Sequence, residues 1–322
     1  DQNADQVIIK ELYTTGVPIE NDPKNFFQID KGFILYNNGG KTAVISNLAI
    51  GILDPYNAHS GANAWYSTGA TEPSYISQGW VPAACGIWYF PNSLIIEPYS
   101  QVVISCMGAI DNTKTYPQSI NYANKDYYTM YDPESGFKNP KYYPTPADVI
   151  PTSQYLKAVE YGQGNAWPLS VTSPGFFIFQ TKNTTPAAFA NDASNITYAP
   201  GKAQNKINAV LKVPTDWIID GVEVYEKINE SKSKKRFGSD VDAGYVMQTV
   251  KLGHSVYRNV DVEATKKIEG NADKLVYNYQ YGADPSHIDA EASMKKGAKI
   301  VYMDTNNSTA DFHERKQFSL RD

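Results

Sequence analysis

The 322-residue sequence lacks the features that mark several protein classes. It has two cysteines and four histidines, with no CxxC pair and no histidines at metal-ligand spacing. No stretch approaches the run of about 18–20 apolar residues that spans a bilayer as a helix. The HExxH, GxSxG, P-loop and GxGxxG motifs are missing as well. The sequence therefore gives no signal for an enzyme, a metal site or a cofactor, and we predict a noncatalytic protein.

The two cysteines, Cys85 and Cys106, leave two main interpretations open. Cys106 lies in a run, Val102–Cys106, in which apolar residues alternate, and its parity points it toward the protein interior. We favour a pair of buried thiols. The alternatives are a disulfide bond between neighbouring strands, which needs an oxidising compartment, and a catalytic thiol.

Composition and charge favour a globular β protein. Hydrophobic residues make up 42% of the chain, and 24 residues are tyrosine, a residue favoured in strands and on recognition surfaces. The formal net charge is only -5. Because this charge is small, it gives no electrostatic reason to expect binding to nucleic acid or to an anionic membrane surface.

The best-formed strand signal runs from Phe26 to Leu53. The segment has two halves, here called limbs, and in each of them the apolar residues fall on alternate positions, as in half-buried strands. The limbs are joined by Asn37-Asn38-Gly39-Gly40, residues that tolerate positive φ, so the pattern predicts a β-hairpin. The expected core residues are Phe27, Ile29, Phe33 and Leu35 on the first limb, Val44, Leu48, Ile50 and Ile52 on the second, and Phe177 from a later strand.

Other segments predict further strands and two short helices. Helical spacing of apolar residues predicts a helix over 202–211, and Ser286 with Gly297 predicts the limits of another. In two long segments, 54–84 and 109–170, the apolar residues follow neither a helical nor a strand period. The second segment is rich in proline, which disfavours central strands. The predicted strands are Val7–Tyr13, Ile87–Phe90, Val102–Cys106, Gly175–Phe179, Trp217–Tyr225, Ser255–Arg258 and Ile300–Met303.

The order of these motifs resembles a known architecture. The sequences IIKELY, FILYNNGGKTAVISNLAI and IEPYSQVVIS are similar to the opening half of the lamin-tail type of immunoglobulin-like sandwich, and IIDGVEVY, LGHSVYR and DTNNSTADF are similar to its second half. The whole chain resembles uncharacterised lipoproteins of Bacteroidetes-type bacteria, through Asn165–Phe179, Asp242–Val246 and Asp304–Phe312. The resemblance implies an all-β fold, a lamin-tail-like antiparallel β-sandwich with long irregular insertions. It implies no activity.

We therefore expect a single elaborated sandwich domain over residues 7–322, with insertions at about 54–84 and 109–170, after a polar tether at residues 1–6. The tether is interpreted as what remains after removal of a signal peptide or lipoprotein leader. This predicts an extracytoplasmic protein, anchored to the outer membrane through a removed N-terminal lipid anchor and located at the cell surface or in the periplasm.

Two polar clusters carry alternative interpretations. Asp304, Asn306 and Asp311 have the oxygen ligands that Ca²⁺ prefers, but the glycine and terminal glutamate of an EF-hand loop are missing. We predict instead that they accept backbone hydrogen bonds in a turn. The basic run Glu230–Arg236 is predicted to be a solvated loop, with an anion site as the alternative.

Trp65, Tyr66 and Trp80 are the predicted ligand-binding residues. They lie in the long 54–84 segment, and large aromatic side chains on a loop suit recognition of a sugar face or a protein. The competing interpretation is that they pin the loop to the scaffold. The sequence thus predicts a module that binds a glycan or protein partner; the alternatives are a subunit of an outer-membrane uptake or assembly complex, with a transporter as partner, and a hydrolase with an unrecognised carboxylate site.

Overall fold

The computed structural model describes all 322 residues, and the chain is built mainly from β-strands. None of its helices combines the length and apolar composition that crossing a membrane requires. The nineteen strands are β1 Val7–Tyr13, β2 Val17–Ile19, β3 Asp22–Phe27, β4 Gly32–Asn37, β5 Ala43–Ile45, β6 Leu48–Ile52, β7 Trp80–Ala84, β8 Gly86–Tyr89, β9 Leu94–Ile96, β10 Gln101–Ser105, β11 Tyr128–Met130, β12 Tyr155–Glu160, β13 Gly175–Gln180, β14 Ile196–Tyr198, β15 Ala209–Pro214, β16 Ile218–Glu226, β17 Val246–Gln248, β18 Ser255–Arg258 and β19 Phe312–Arg315.

The helices are short. The four α-helices are α1 Pro186–Asn191, α2 Val262–Lys267, α3 Ala290–Lys295 and α4 Ser308–Asp311. The 3₁₀ turns are Ala4–Gln6, Ile76–Gln78, Asn112–Lys114, Thr152–Gln154, Ala193–Asn195, Lys206–Asn208, Thr215–Trp217, Lys227–Lys232 and Ser319–Arg321. Each α-helix is capped by a side-chain oxygen, from Thr185, Asp261, Asp289 and Asn307 respectively.

The prediction of an immunoglobulin-like antiparallel sandwich is wrong. Twelve strands form a single mixed sheet in the order β17-β16-β13-β6-β8-β12-β11-β10-β4-β1-β18-β19, which curls into a nearly closed barrel. Three neighbouring pairs in it run parallel: β10 with β11, β11 with β12, and β16 with β17. Smaller sheets are formed by β14-β15-β7, β2-β3 and β5-β9.

The error arises from the proline-rich segment 109–170, which was predicted to lie outside the sheet. It supplies β11 and β12, and these two strands stand between β10 and β8. Without them the remaining strands would form two separate sheets, β17-β16-β13-β6-β8 and β10-β4-β1-β18-β19, antiparallel except for the β16–β17 pair. By pairing in parallel with β10 and with each other, they join the two halves into one sheet.

The opposite side of the barrel is closed by side chains instead of a continuous strand ladder. Asp220 on β16 accepts a hydrogen bond from the backbone N–H of Ile9 on β1, with a distance of 2.7 Å. Glu314 on β19 accepts one from the backbone N–H of Thr249, which follows β17, at 2.6 Å. Asp220 satisfies the N–H of Ile9 where β18 no longer pairs with β1, and Glu314 satisfies an N–H just beyond the edge strand β17.

The predicted hairpin is only partly correct. The chain does turn after Asn37, but β4 pairs with β1 and β10, whereas β6 pairs with β13 and β8, so the two limbs do not pair with each other. The alternation in β4 is confirmed: Phe33 and Leu35 face the barrel interior, and Ile34 packs on the outside. Phe177 lies in an outer cluster, not in the same core.

Three segments cover the outside of the barrel and bury its outward-facing apolar residues. The 54–84 segment with β7 and β15 covers Phe177 and Phe179. Part of the 109–170 segment covers Ile34 and Val103. The 260–303 segment covers Ile8. The barrel is therefore buried on both faces over much of its surface, unlike a sandwich sheet with one face in water.

Several local predictions have clear outcomes. The strand Val7–Tyr13 is confirmed at both ends, and α3 lies where a helix was predicted, before Gly297 at φ 92°. The helix over 202–211 is wrong, because this stretch ends in β15. Ile300–Met303 forms only a single bridge, Val260 to Tyr302. Cys85 and Cys106 are both free and buried, which confirms the favoured interpretation.

Candidate functional site

The predicted binding residues lie on the outside of the barrel, above β6, β8 and β13. Trp65 is 4% exposed and packs edge to face against Tyr75 and Trp80, with ring centroids 5.3 and 5.7 Å apart. Tyr75 and Trp80 are themselves 5.8 Å apart. The three rings form one aromatic cluster, in which Trp80 begins β7. This arrangement pins the 54–84 segment to the barrel.

One edge of Trp65 nevertheless borders an open cleft of about 310 Å³, here called the Trp65 cleft. One wall is the start of the 54–84 segment, and the other is the segment 199–208, which precedes β15. Tyr56 and Ile207 are exposed apolar side chains on opposite walls, 39% and 64% exposed. The polar lining residues include Asp54, Asn63, Lys202 and Asn208.

The first wall of the Trp65 cleft is held from beneath by Arg236, whose side chain is fully buried. Its Nη1 donates to the carbonyl oxygens of Pro55 and Tyr56 at 2.9 and 3.1 Å. The guanidinium is neutralised by Glu223, with Nε 2.8 Å from Oε2. A buried charge pair with its remaining donors satisfied keeps a single geometry, so the backbone that carries Tyr56 is rigidly placed.

Asp54 is the carboxylate of the cleft. Trp65 Nε1 donates to its Oδ2 at 2.7 Å. Burial raises the pKa of Asp54 above its usual range, and the Trp65 hydrogen bond opposes this rise. The other carboxylate oxygen, Oδ1, is left as an acceptor for a ligand hydroxyl.

The other two predicted residues lie outside the cleft lining. Tyr66 Oη donates to the carbonyl oxygen of Lys235 at 2.7 Å, and the Lys234 ammonium lies 4.7 Å from the centre of its ring. Trp80 is half-buried in the aromatic cluster. Among Trp65, Tyr66 and Trp80, the structure therefore places only Trp65 at the cleft.

Sequence reasoning missed most of the cleft. Tyr56 follows Asp54-Pro55, a turn-like dipeptide that carried no recognition signal, and the opposite wall was predicted to be part of a helix. The available sequence signal was the run Asn205-Lys206-Ile207-Asn208, in which a single isoleucine stands among polar residues; in the structure Ile207 is 64% exposed.

The basic run does not behave as a solvated loop throughout. Lys232 and Lys234 are exposed, as predicted, but Arg236 is buried in the contacts described above. Lys235 Nζ donates to the carbonyl oxygen of Asp242 at 2.6 Å and also to that of Gly244. The end of this run is therefore part of the scaffold.

The closing motif contains the predicted turn. Asp311 accepts from the backbone N–H and hydroxyl of Thr305, both at 2.7 Å, which confirms its predicted role. Asn306 contributes its carbonyl oxygen, not its side chain, to the N–H of Ala243. Asp304 lies 3.6 Å from Arg258 Nη1 as an ion-pair partner, so the predicted role is wrong for the side chains of Asp304 and Asn306.

A larger cleft, of about 610 Å³, lies elsewhere, near β19 and α3. It is here called the Tyr279 cleft. Its lining is mostly polar and includes Asn278, Tyr279, Gln280, Lys295, Arg321 and Asp322. Apart from Lys295, which lies in the helix predicted before Gly297, these residues belong to no motif and to no apolar period, so no sequence signal pointed to the cleft.

Comparison with known proteins identifies the family. A family model described as "Protein of unknown function (DUF4876)" matches residues 97–273, which is 177 of the 322 residues and more than half of the chain. The protein belongs to the DUF4876 family. The predicted membership of an uncharacterised bacterial family is thereby confirmed. The matched segment includes the second wall of the Trp65 cleft and Arg236.

A solved structure of a DUF4876 family protein from Bacteroides thetaiotaomicron VPI-5482 is similar to this chain, with a TM-score of 0.67 and 21% identity. The similarity covers 96% of this chain and 70% of that one. At this level of identity it shows the fold alone. A comparison with curated proteins finds no match.

Proposed function

We propose that this DUF4876 protein is a noncatalytic module that binds a glycan in the Trp65 cleft. The observation that carries the proposal is the pair Tyr56 and Ile207, two exposed apolar side chains on opposite walls of one cleft. Apolar side chains left in water on facing walls favour a flat ligand between them, and the apolar faces of a sugar ring fit that requirement.

The polar groups of the cleft suit the edges of such a ring. Asp54 and the amide oxygen of Asn208 offer acceptors, and the amide NH2 of Asn63 and the Lys202 ammonium offer donors. A few convergent polar groups between apolar walls are typical of small-molecule sites. The volume of about 310 Å³ is at the small end of such sites, which favours one or two sugar units.

Preorganisation supports a binding role. The Tyr56 backbone is held by Arg236, and Asp54 is held by Trp65. Because these groups are fixed before a ligand arrives, less entropy is lost on binding. Trp65 therefore has an indirect role in recognition, because it positions Asp54. Tyr66 and Trp80 contribute by packing the 54–84 segment.

The test is a glycan array, followed by isothermal titration calorimetry with the best neutral oligosaccharide. Tyr56→Ala and Ile207→Ala should each lower its affinity at least about tenfold, since each removes one wall of the clamp. Ile95→Ala is the matched control, because Ile95 is similarly exposed at 58% and lies on β9, away from the cleft. Full binding by both cleft variants would contradict the proposal.

We further propose that the protein acts outside the cytoplasm as a lipid-anchored surface or periplasmic component, where a glycan or transporter partner is available. The support is the resemblance of the sequence to bacterial lipoproteins and its membership of a family found in Bacteroides. Metabolic labelling of the native protein with a palmitate analogue tests the anchor, and absence of label would contradict it.

A further inference from the structure

The Tyr279 cleft contains cations in excess of the carboxylates free to pair with them. Of its three acidic side chains, Asp289 caps α3 through the backbone N–H of Ala292, at 3.1 Å. Glu291 is occupied by Lys10, 2.7 Å away, and by the Tyr257 hydroxyl, 2.6 Å away. Only Asp322 remains as a partner for the cations of the cleft.

A further cation, the guanidinium of Arg315, lies behind the lining residue Tyr279. Arg315 is fully buried between the rings of Tyr257 and Tyr279, 3.4 and 3.9 Å from their centroids. Its Nε donates to His313, but Nη1 and Nη2 have no hydrogen-bond partner. Buried guanidinium nitrogens without an acceptor are costly, because all five N–H groups of arginine require partners.

Asp322 is the group that comes closest to filling this need. Its Oδ2 lies 3.5 Å from Arg315 Nη1, too far for a good hydrogen bond. Its Oδ1 accepts from Tyr279 Oη at 2.7 Å and from Gln317 Nε2 at 3.0 Å. Lys295 Nζ lies 3.5 Å from its main-chain oxygen. Two side chains thus donate to the Asp322 carboxylate, both through Oδ1, and Oδ2 has only the distant Arg315 beside it.

We propose that the Tyr279 cleft is a second binding site, which takes a sugar carboxylate in the position that the Asp322 side chain occupies. A ligand carboxylate that displaced Asp322 would accept from Tyr279 and Gln317 and reach the unpartnered edge of Arg315. An arginine edge and a carboxylate are matched in shape and charge, which makes this exchange favourable.

The rest of the lining argues for an acidic sugar instead of an apolar acid. Asn278, Gln280 and Gln317 present amides that donate to and accept from hydroxyls, and Tyr279 and Tyr281 present ring edges and faces. Only three of the eleven lining residues are hydrophobic. The volume of about 610 Å³ is in the middle of the usual range for ligand sites and is ample for a uronic acid disaccharide.

The probe is digalacturonate, with its dimethyl ester as a neutral ligand of the same skeleton. Calorimetry with the full chain should give digalacturonate an affinity at least about tenfold above that of the ester. Lys295→Gln and Tyr279→Phe should each weaken digalacturonate binding about threefold to tenfold. Lys296→Gln is the matched control, because Lys296 is exposed on the next position and lies outside the lining.

Asp322→Ala gives the decisive result, because removal of the internal competitor should strengthen digalacturonate binding. Equal binding of acid and ester, or weaker binding by Asp322→Ala, would overturn the proposal. Asp322→Asn, which keeps the size of the side chain, should also strengthen binding, and a thermal melt of both variants checks their folding. Tyr56→Ala should leave digalacturonate binding unchanged; if it abolishes binding while Lys295→Gln does not, the ligand occupies the Trp65 cleft instead.

Discussion

Oδ2 of Asp220 lies 2.5 Å from Nη2 of Arg258, although their strands, β16 and β18, do not pair with each other. The same oxygen accepts the backbone N–H of Ile9. The register of β1 against β4 shifts just after Ile9, so a bulge is present there. Arg258 Nε in turn donates to the Ile9 carbonyl oxygen at 2.9 Å. One ion pair thus replaces backbone hydrogen bonds where the barrel closes.

Asp220→Ala is predicted to be strongly destabilising. It leaves a buried guanidinium without its main counter-ion and a buried N–H without an acceptor, which together cost about 3–5 kcal/mol. Urea unfolding followed by tryptophan fluorescence measures the free energy of unfolding. Asp216→Ala, at an exposed aspartate on the turn before β16, is the control and should change stability by less than about 0.5 kcal/mol. Similar values for the two variants would show that Asp220 does not hold the barrel seam.

We predict that the stabilising contribution of Glu314 to the fold is lost in acid. Burial raises the pKa of Glu314, but hydrogen bonds from His254, Lys227 and the Thr249 N–H outweigh this and hold it at about 2. The usual value is 4.5, so the ionised form stabilises the fold above that pH, and this contribution is lost as pH falls from about 4.5 to about 2. The stability advantage of the wild type over Glu314→Gln should therefore shrink across this window. A constant difference would contradict the assignment.

For Asp30 we predict the opposite pH dependence of its contribution to stability. Burial raises its pKa from 3.8 to about 7, and the hydrogen bond from Tyr13 opposes the rise only in part. Because the folded state prefers the protonated acid, its contribution to stability is complete below about pH 4 and is lost as pH rises through about 7. Asp30→Asn imitates the neutral form and keeps an acceptor for Tyr13.

This variant should therefore be more stable than the wild type above about pH 7, by roughly 1 kcal/mol or more, and similar to it near pH 4. Melting temperatures of both proteins across that range provide the measurement. If Asp30→Asn is less stable at every pH, Asp30 is ionised in the folded protein and has a counter-charge.

Trp65→Ala separates packing from recognition in the 54–84 segment. Trp65 is 4% exposed and its indole N–H donates to Asp54, so its removal should cost about 3–5 kcal/mol. Trp80→Ala should cost less, since Trp80 is only half-buried. Chemical unfolding of both variants gives the comparison. Near-normal stability of Trp65→Ala with loss of glycan binding would mean that Trp65 contacts the ligand directly.

Strands with a complete local signal could be predicted from the sequence. Val7–Tyr13, Gly175–Gln180 and Ile218–Glu226 are apolar or alternating over six or more residues, and each is a strand of the barrel. Which strands pair could not be predicted in the same way. The strand β11 has only three residues, and its partners β10 and β12 are brought to it by the fold as a whole.

The candidate sites likewise combine residues that have a local sequence signal with residues that only the fold brings together. Trp65 was predicted because a tryptophan in a long aperiodic segment is visible locally. Ile207 and Tyr56 become a site only because β15 pairs with β7 and so brings the segment 199–208 opposite the start of the 54–84 segment. Likewise, Arg315 and Asp322 are ordinary surface-type residues in sequence, and one of them is fully buried.

The sequence by itself therefore determined that the protein is a β protein, where its longer strands lie, and which faces of those strands are apolar, since period and side-chain chemistry are local properties. Only the tertiary structure decided that these strands close into a barrel and that charged residues seal its seam. Only the fold also decided that two clefts form on the outside of the barrel. Pairing, burial and convergence of side chains depend on contacts between residues far apart in the chain, and no local pattern contains them.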